Sequence, residues 1–226
     1  MNARPDPVLV GALFALTFAT GLIDAVSFLA LGQVFTANMT GNVALLGFAP
    51  FAPELSVPRS LTALALFVAG AMLGGRLAAR MAQGARRKWI ATAFTCEAAI
   101  VFACAAIAWR EPSPMVDERR AYVMIALLAL GMGLRNATVR TIGIRDLATT
   151  VLTSSLSDLG MGIAMRDGEF NWTRAAISTL VMLLGAAAGA LMLRASVSLP
   201  LLASGLCAAA CALAVARFGA TAQPGS

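Results

Sequence analysis

The sequence predicts an all-α integral membrane protein with six transmembrane helices and two short half-helices, arranged as two inverted repeats. Hydrophobic residues make up 59% of the 226 residues and charged residues only 12%, and the mean hydropathy is +0.82. Long apolar runs alternate with short polar ones, which is typical of polytopic membrane proteins. Motifs of the first half also return in the second half. A water-soluble domain of this length has too little interior to hide so much apolar surface.

Six segments are long enough to span a bilayer, which takes about 20 residues each. They cover approximately residues 8–31, 60–82, 88–109, 120–140, 173–194 and 197–217. No small-x-small cleavage site follows the first segment, so we interpret it as a membrane helix and not as a secretory signal. Two further apolar stretches, at about 41–51 and 154–165, are too short to span and follow the polar runs "FTANMTGN" and "LATTVLTSS". We predict that each is a half-helix.

The two halves of the chain share an internal repeat. "GLIDAVSFLALGQVFTANMTGN" aligns with "GLRNATVRTIGIRDLATTVLTSS" after one small gap. The aligned pairs are Gly21 with Gly133, Asp24 with Asn136, Thr36 with Thr149, Thr40 with Thr153, Gly70 with Gly185, and Gly74 with Gly189. We therefore expect a single membrane domain over residues 1–226, with repeat 1 at about 8–110 and repeat 2 at about 120–217.

Arginine placement favours an inverted relation between the repeats, because cytoplasmic loops collect Lys and Arg. With six crossings and the N-terminus inside, 11 basic residues lie on the cytoplasmic side and 5 outside, and Arg135 stays in the membrane. Eight crossings divide the same residues 8 to 8. The expected topology is therefore a multi-pass membrane protein with both termini cytoplasmic.

The polar runs predict a solute site at the membrane midplane. Irregular backbone is tolerated there only where it is buried in protein or lines a wet cavity, and transporters with inverted repeats place their substrates at such half-helices. Thr40 or Asn42 is expected to cap the first half-helix, and its positive dipole end suits an anion or a polar acceptor. The candidate substrate-binding residues are Thr36, Asn38, Thr40, Gly41, Asn42, Thr149, Thr150, Thr153, Ser154, Ser155, Arg135 and Asn136. The alternative interpretation is a polar knot that only packs helices together.

Among the charged residues of the predicted spans, we interpret three as functional candidates, since charges within a membrane are functional hypotheses by default. Asp24 and Glu97 are the candidates for proton or ion coupling, and Arg135 is the candidate counter-charge for an anionic substrate. A purely structural interpretation pairs Asp24 with Arg135 as a buried bridge and gives Glu97 a partner such as Arg76. Asp158 is expected to cap the second half-helix.

The sequence lacks the residue patterns that enzymes, metal-binding proteins and nucleotide-binding proteins require. The chain contains no histidine, no nucleotide-binding loop and no carboxylate pair at catalytic spacing, and its four cysteines lie in apolar segments as expected packing residues. We therefore expect neither an enzyme nor a metal or cofactor site. The net charge of +6 is assigned to loop arginines and not to nucleic acid. The expected partners are the lipid bilayer, a small-molecule or ion substrate and a second copy of this chain of six short helices. The G-x-x-x-G pairs at 70/74 and 185/189 let helices approach closely, either between the two halves or between two subunits.

The motifs also carry a family resemblance. The combination of "GLIDAVSFLALG", "VFTANMTGN", "GLRNATVR" and "TTVLTSSLSDLG" resembles the YoaK-type family of small bacterial membrane proteins over nearly the whole chain. The resemblance implies a membrane location and six helices, and it supplies no substrate. More remotely, an extended segment followed by a half-helix, twice, in inverted halves is similar to the core of sulfate-permease and nucleobase transporters, at the level of the fold alone. A secondary transporter is the resulting prediction, with a channel or a non-transporting scaffold as alternatives.

Overall fold

A computed structural model describes residues 6–81, 86–109, 116–143, 160 and 172–219, which form seven α-helices and no strand. The helices are α1 (Pro7–Ala30), α2 (Met39–Phe48), α3 (Val57–Met81), α4 (Arg86–Ala108), α5 (Glu118–Ile142), α6 (Trp172–Leu193) and α7 (Ser198–Phe218). Every helix except α2 is long and apolar enough to cross a membrane. The six predicted spans and the first short helix are thus confirmed. The short helix predicted at 154–165 lies outside the described residues.

Both ends of α1 are set by local sequence. Asp6 accepts a hydrogen bond from the backbone N–H of Val8 at 2.9 Å, and Pro7 occupies the first helical position, where no N–H is required. At the other end Gly32 has φ of +91° and Gln33 has φ of +56°, which takes the backbone out of the helical region. The chain then runs without helix to Asn38 before α2 begins. We name residues 31–38 the irregular segment.

Contacts along the helices give their relative directions. Ser204 contacts the carbonyl oxygen of Ala19, whereas Cys211, further along α7, contacts that of Ala12, so α1 and α7 are antiparallel. On α4 and α5, Arg86 reaches the carbonyl oxygen of Ile142 while the later residues of α4 meet earlier residues of α5, so this pair is antiparallel too.

Glycines bring two further helix pairs into close contact. A Cβ atom on Gly70 would meet the backbone oxygen of Leu130, and one on Gly74 would lie 2.7 Å from the backbone oxygen of Leu134. Because these contacts advance together along both helices, α3 and α5 run in the same direction. Gly185 and Gly189 meet the α1 backbone in the same way, at Phe18 and at Leu22 respectively. The G-x-x-x-G pairs therefore pack helices of the two halves of one chain against each other.

Helix α1 lies at the centre of the bundle. In α1, 67% of the most apolar window is buried, against 22% in each of α3 and α6, whose large apolar side chains, such as Met72 and Leu183, point outward. Lipid tails solvate such surfaces in a membrane protein. The expectation of buried cysteines holds for Cys104 and Cys211 and is wrong for Cys96, which is exposed on α4.

Candidate functional site

A group of polar side chains lies where α1, α4 and α5 meet. It comprises Thr20 and Asp24 of α1, Glu97 of α4 and Arg135 of α5, all buried. Thr20 and Asp24 are four residues apart and therefore share one face of α1. We name these four residues the buried polar centre.

Arg135 is the hub of this centre. Its Nη1 donates to Glu97 Oε1 at 2.9 Å and to the backbone oxygen of Leu16 at 3.2 Å. Its Nη2 donates to Thr20 Oγ1 at 2.5 Å and contacts the sulfur of Met132 at 3.0 Å. The side chain is fully buried, and its Nε has no partner. Additional hydrogen bonds of this kind are what a buried ion pair needs to offset the desolvation of its charges.

Glu97 is bound through one oxygen only. Oε1 pairs with Arg135, and Oε2 is buried without a hydrogen-bond partner. The structural alternative that paired Glu97 with Arg76 is wrong, because Arg76 is exposed on α3. The partner of Glu97 comes from α5, which runs antiparallel to α4 and brings Arg135 to its level.

Asp24 lies beside the ion pair and is not part of it. Its side chain is 8% exposed, and Oδ1 has no hydrogen-bond partner among the residues that the structure describes. It interacts electrostatically with Arg135 and, through its carboxyl group, with the backbone of Ala37. The bridge expected between Asp24 and Arg135 is therefore replaced by the bridge between Glu97 and Arg135. Asp24 instead connects the buried polar centre to the irregular segment.

Asn42 holds the irregular segment against the first turn of α2. Its side-chain oxygen accepts from the backbone N–H of Phe35 at 2.9 Å, and its side-chain nitrogen donates to the carbonyl oxygen of Phe35 at 2.6 Å. The Phe35 ring stacks on Phe28 with centroids 5.0 Å apart. One buried side chain thus satisfies both backbone polar groups of a residue outside any helix. The polar groups of Asn42 are already occupied within the chain.

The other predicted residues of the first polar run have different surroundings. Asn38 caps α2 by accepting from the backbone N–H of Gly41 at 3.3 Å, so the expectation that Thr40 or Asn42 caps this helix is wrong. Thr40 and Asn38 are exposed, and a Cβ atom on Gly41 would lie 2.8 Å from the Phe35 ring. Thr36 is fully buried, and its hydroxyl has no hydrogen-bond partner within the described part of the chain. Thr36 is therefore the residue of this run whose polar group is buried and unpartnered among the described residues.

The second polar run cannot be compared in the same way. Asn136 is half-buried beside Arg135 and has an interaction partner. The remaining predicted residues of repeat 2 lie outside the described residues; they are Thr149, Thr150, Thr153, Ser154, Ser155 and Asp158.

Sequence reasoning missed Thr20, which accepts from Arg135 and donates to the backbone oxygen of Leu16 at 2.8 Å. A threonine in an apolar helix ordinarily needs no partner beyond its own helix. The available signal was its spacing of four residues from Asp24.

A cavity of about 360 Å³ opens elsewhere, at the end of α4 and the start of α5. It is lined by Ala106, Ile107, Arg119, Arg120 and Val123. None of these residues belongs to the buried polar centre.

Residues 12–216 match the family described as "Protein of unknown function (DUF1275)". The chain belongs to this family. It is also 32% identical over 148 residues to the "UPF0700 transmembrane protein YoaK" of Bacillus subtilis (strain 168), an alignment that covers 65% of this chain and 64% of that protein. The resemblance to YoaK-type membrane proteins is thereby confirmed. No solved structure matches the chain.

Proposed function

We propose that this membrane protein is a secondary transporter of a small solute. The observation that carries the proposal is the fully buried ion pair between Arg135 and Glu97, with unpartnered polar atoms around it, inside a bundle of membrane-spanning helices. Charges at such depth are costly, and in membrane proteins they mark substrate and ion pathways. A protein that served only as a scaffold would gain more from apolar packing at this position.

The proposal includes two inverted repeats. Gly21 contacts the backbone of Met182 and Ala186, and its repeat equivalent Gly133 contacts Phe67 and Ala71, which are the aligned positions. In this alignment α1 corresponds to α5 and α3 corresponds to α6. The contact between α1 and α6 is therefore equivalent to the contact between α5 and α3.

Helix α7 is antiparallel to α4, because Gly205 lies beside Phe102 and Gly219 beside Arg87. Since α1 is antiparallel to α7, and α5 to α4, the equivalent helices α1 and α5 point in opposite directions. These relations support an inverted repeat, on which alternating access can be built.

The proposed solute site lies at the irregular segment beside Asp24. Thr36 Oγ1 and Asp24 Oδ1 are buried there without hydrogen-bond partners, as a polar ligand requires. Arg135 uses both terminal nitrogens within the chain and therefore leaves little capacity for the anionic substrate that its charge favours.

The expected setting is the bacterial inner membrane with both termini in the cytoplasm, as the basic residues favour. The chain lacks a nucleotide-binding loop and histidine-based chemistry, so we propose an ion gradient as the energy source and no enzymatic activity.

A ligand screen by thermal stability tests the proposal. The purified protein in detergent is heated with a panel of small anions, cations and neutral metabolites, since a ligand at a hundredfold excess over its dissociation constant stabilises by about 2.7 kcal/mol. Thr36→Val removes the unpartnered hydroxyl and keeps the side-chain shape. Thr62→Val is the matched control, because the hydroxyl of Thr62 is exposed and bonds to its own helix at 2.8 Å.

We expect one compound to stabilise the wild type and the Thr62→Val variant and to lose its effect on Thr36→Val, which itself melts no lower than the wild type. If no compound shifts the wild type and Thr36→Val melts lower, the hydroxyl is structural and a scaffold explains the chain better.

A further inference from the structure

We propose that the buried polar centre holds one exchangeable proton, that Asp24 carries it while Arg135 pairs with Glu97, and that Arg135 pairs with Asp24 when the proton resides on Glu97. The role of this exchange in coupling rests on the proposed transport function. The proton site itself follows from the geometry of the centre and can be tested separately.

The buried polar centre contains one cationic group and two carboxyl groups. Arginine stays protonated in proteins, so Arg135 brings one positive charge, whereas Asp24 and Glu97 are two carboxyl groups. With both carboxyls ionised the centre would keep one uncompensated negative charge away from water, which is strongly unfavourable. One proton on one carboxyl makes the centre neutral.

Within the described part of the chain, Arg135 is the cation that acts on both carboxyl groups. Arg135 of α5 is the charged group that faces Asp24, and the thiols of Cys207 and Cys211 on α7 face Glu97 and Arg135. Neither α3 nor α6 contains a carboxyl group. Arg59 of α3 lies at the far end of α1, where it packs on Gly32 and over the ring of Tyr122 at 5.7 Å.

Hydrogen bonding decides which carboxyl is protonated. Glu97 Oε1 lies 2.9 Å from Arg135 Nη1, an ion pair that requires an ionised carboxylate. Asp24 is buried beside it, and its Oδ1 accepts no hydrogen bond. Each carboxyl group has one oxygen without a partner among the described residues, Oδ1 of Asp24 and Oε2 of Glu97, so the direct ion pair makes the difference. Arg135 compensates the charge of the carboxylate that it binds, whereas a carboxylic acid carries no charge to solvate. The proton therefore belongs on Asp24 in this conformation.

Arg135 is placed to change partner. Its Nη2 already bonds to Thr20, four residues before Asp24 on the same face of α1, a rise of about 6 Å. Its Nε has no partner that would hold the side chain in place. In the exchange Asp24 releases a proton and Glu97 takes one up through water, so the three groups stay neutral in both states. Since Asp24 also contacts the irregular segment at Ala37, the exchange reaches the proposed solute site.

Infrared spectroscopy of the purified full-length protein tests this directly. At neutral pH we expect the carbonyl stretch of one protonated buried carboxyl group in the wild type, and its loss in Asp24→Asn. We also expect its loss in Glu97→Gln, because Arg135 then takes Asp24 as its partner and Asp24 ionises. The control Glu54→Gln changes an exposed carboxyl in the loop before α3 and leaves the band unchanged.

The opposite results overturn the proposal. A wild type without the band has no such proton, and a band that persists in Glu97→Gln shows that Arg135 does not change partner. Loss of the wild-type band when sodium replaces potassium would assign the site to a metal cation. As a second readout, Asp24→Asn, the neutral isostere, should melt at the wild-type temperature, and a marked decrease would show that Asp24 is ionised. If the band behaves as expected while no compound shifts the melting temperature, the transport function fails and the proton site stands.

Discussion

Arg135 and Glu97, from two antiparallel helices, form an ion pair of 2.9 Å in which neither side chain is exposed. Asp24 lies next to this pair with an unpartnered oxygen. The three residues form a site with two carboxyl groups and one guanidinium group. The protonation and the stability of this site depend on which carboxyl group Arg135 binds.

Substitutions of Asp24 and Glu97 should change the free energy of unfolding in a non-additive way. Asp24→Asn should cost little, and Glu97→Gln should cost less than the removal of a buried partner normally does, because Asp24 replaces Glu97. The double variant leaves Arg135 without any carboxylate, which should cost about 3–5 kcal/mol. Denaturant unfolding in detergent measures the free energies of the two single variants and the double variant, which form a double-mutant cycle. If the two single losses in free energy add up to that of the double variant, Asp24 does not replace Glu97. Adding Arg135→Met to the double variant should restore much of the stability.

A second prediction concerns the glycine contacts between the halves. Gly70→Ala places a methyl group against the backbone oxygen of Leu130 and should destabilise the protein by about 1–3 kcal/mol. Gly75→Ala, on the same helix, has nothing within 4 Å and should be neutral or stabilising by up to about 1 kcal/mol. Melting temperatures of the two variants give the comparison. Equal values would show that α3 and α5 do not pack through this glycine.

The amide of Asn42 provides a third test. Asn42→Ala leaves the N–H and C=O groups of Phe35 without partners, at about 1–3 kcal/mol for each buried group. Asn38→Ala removes only the exposed cap of α2, a loss of about 0.5–2 kcal/mol. Unfolding and limited proteolysis within residues 31–38 should both show the larger effect for Asn42→Ala. If the Asn38 variant is affected as much, the segment is not held by Asn42.

Membrane orientation supplies a fourth prediction. In a background with the four cysteines replaced by alanine, Glu54→Cys should react with a membrane-impermeant reagent in intact cells. Lys88→Cys, at the start of α4, should react only after the cells are permeabilised, because the basic loop before it is expected in the cytoplasm. Both residues are exposed, so access depends on the side of the membrane alone. Labelling of Lys88→Cys in intact cells would reverse the proposed topology.

The sequence was sufficient for the spans because the bilayer fixes how many apolar residues a crossing needs. It placed their ends less well. Helix α3 begins at Val57, three residues before the predicted start at 60, since helical hydrogen bonding continues through Pro58 and Arg59 beyond the apolar part. Hydropathy records contact with hydrocarbon, and helix ends are set by backbone hydrogen bonds.

The charged residues of the site could be predicted from the sequence, but which of them form an ion pair could not. Asp24, Glu97 and Arg135 were identified one by one, since any charge in a membrane span requires an explanation. Their partners depend on which helices are antiparallel and at what level they meet, which tertiary packing decides. Asn42 shows the same limit. Its polar side chain is equally consistent with binding a ligand and with binding the backbone of Phe35, which is the partner that the structure shows.

The most direct measurement is proton movement in liposomes that contain the purified protein and a pH-sensitive dye, under an imposed gradient of each candidate solute. We predict that one solute drives protons across the membrane with wild-type protein and with Glu54→Gln, and that Asp24→Asn, although folded, moves none. If no solute in a broad panel moves protons with the wild type, or if Asp24→Asn moves them equally well, the buried centre is not the coupling site of a transporter.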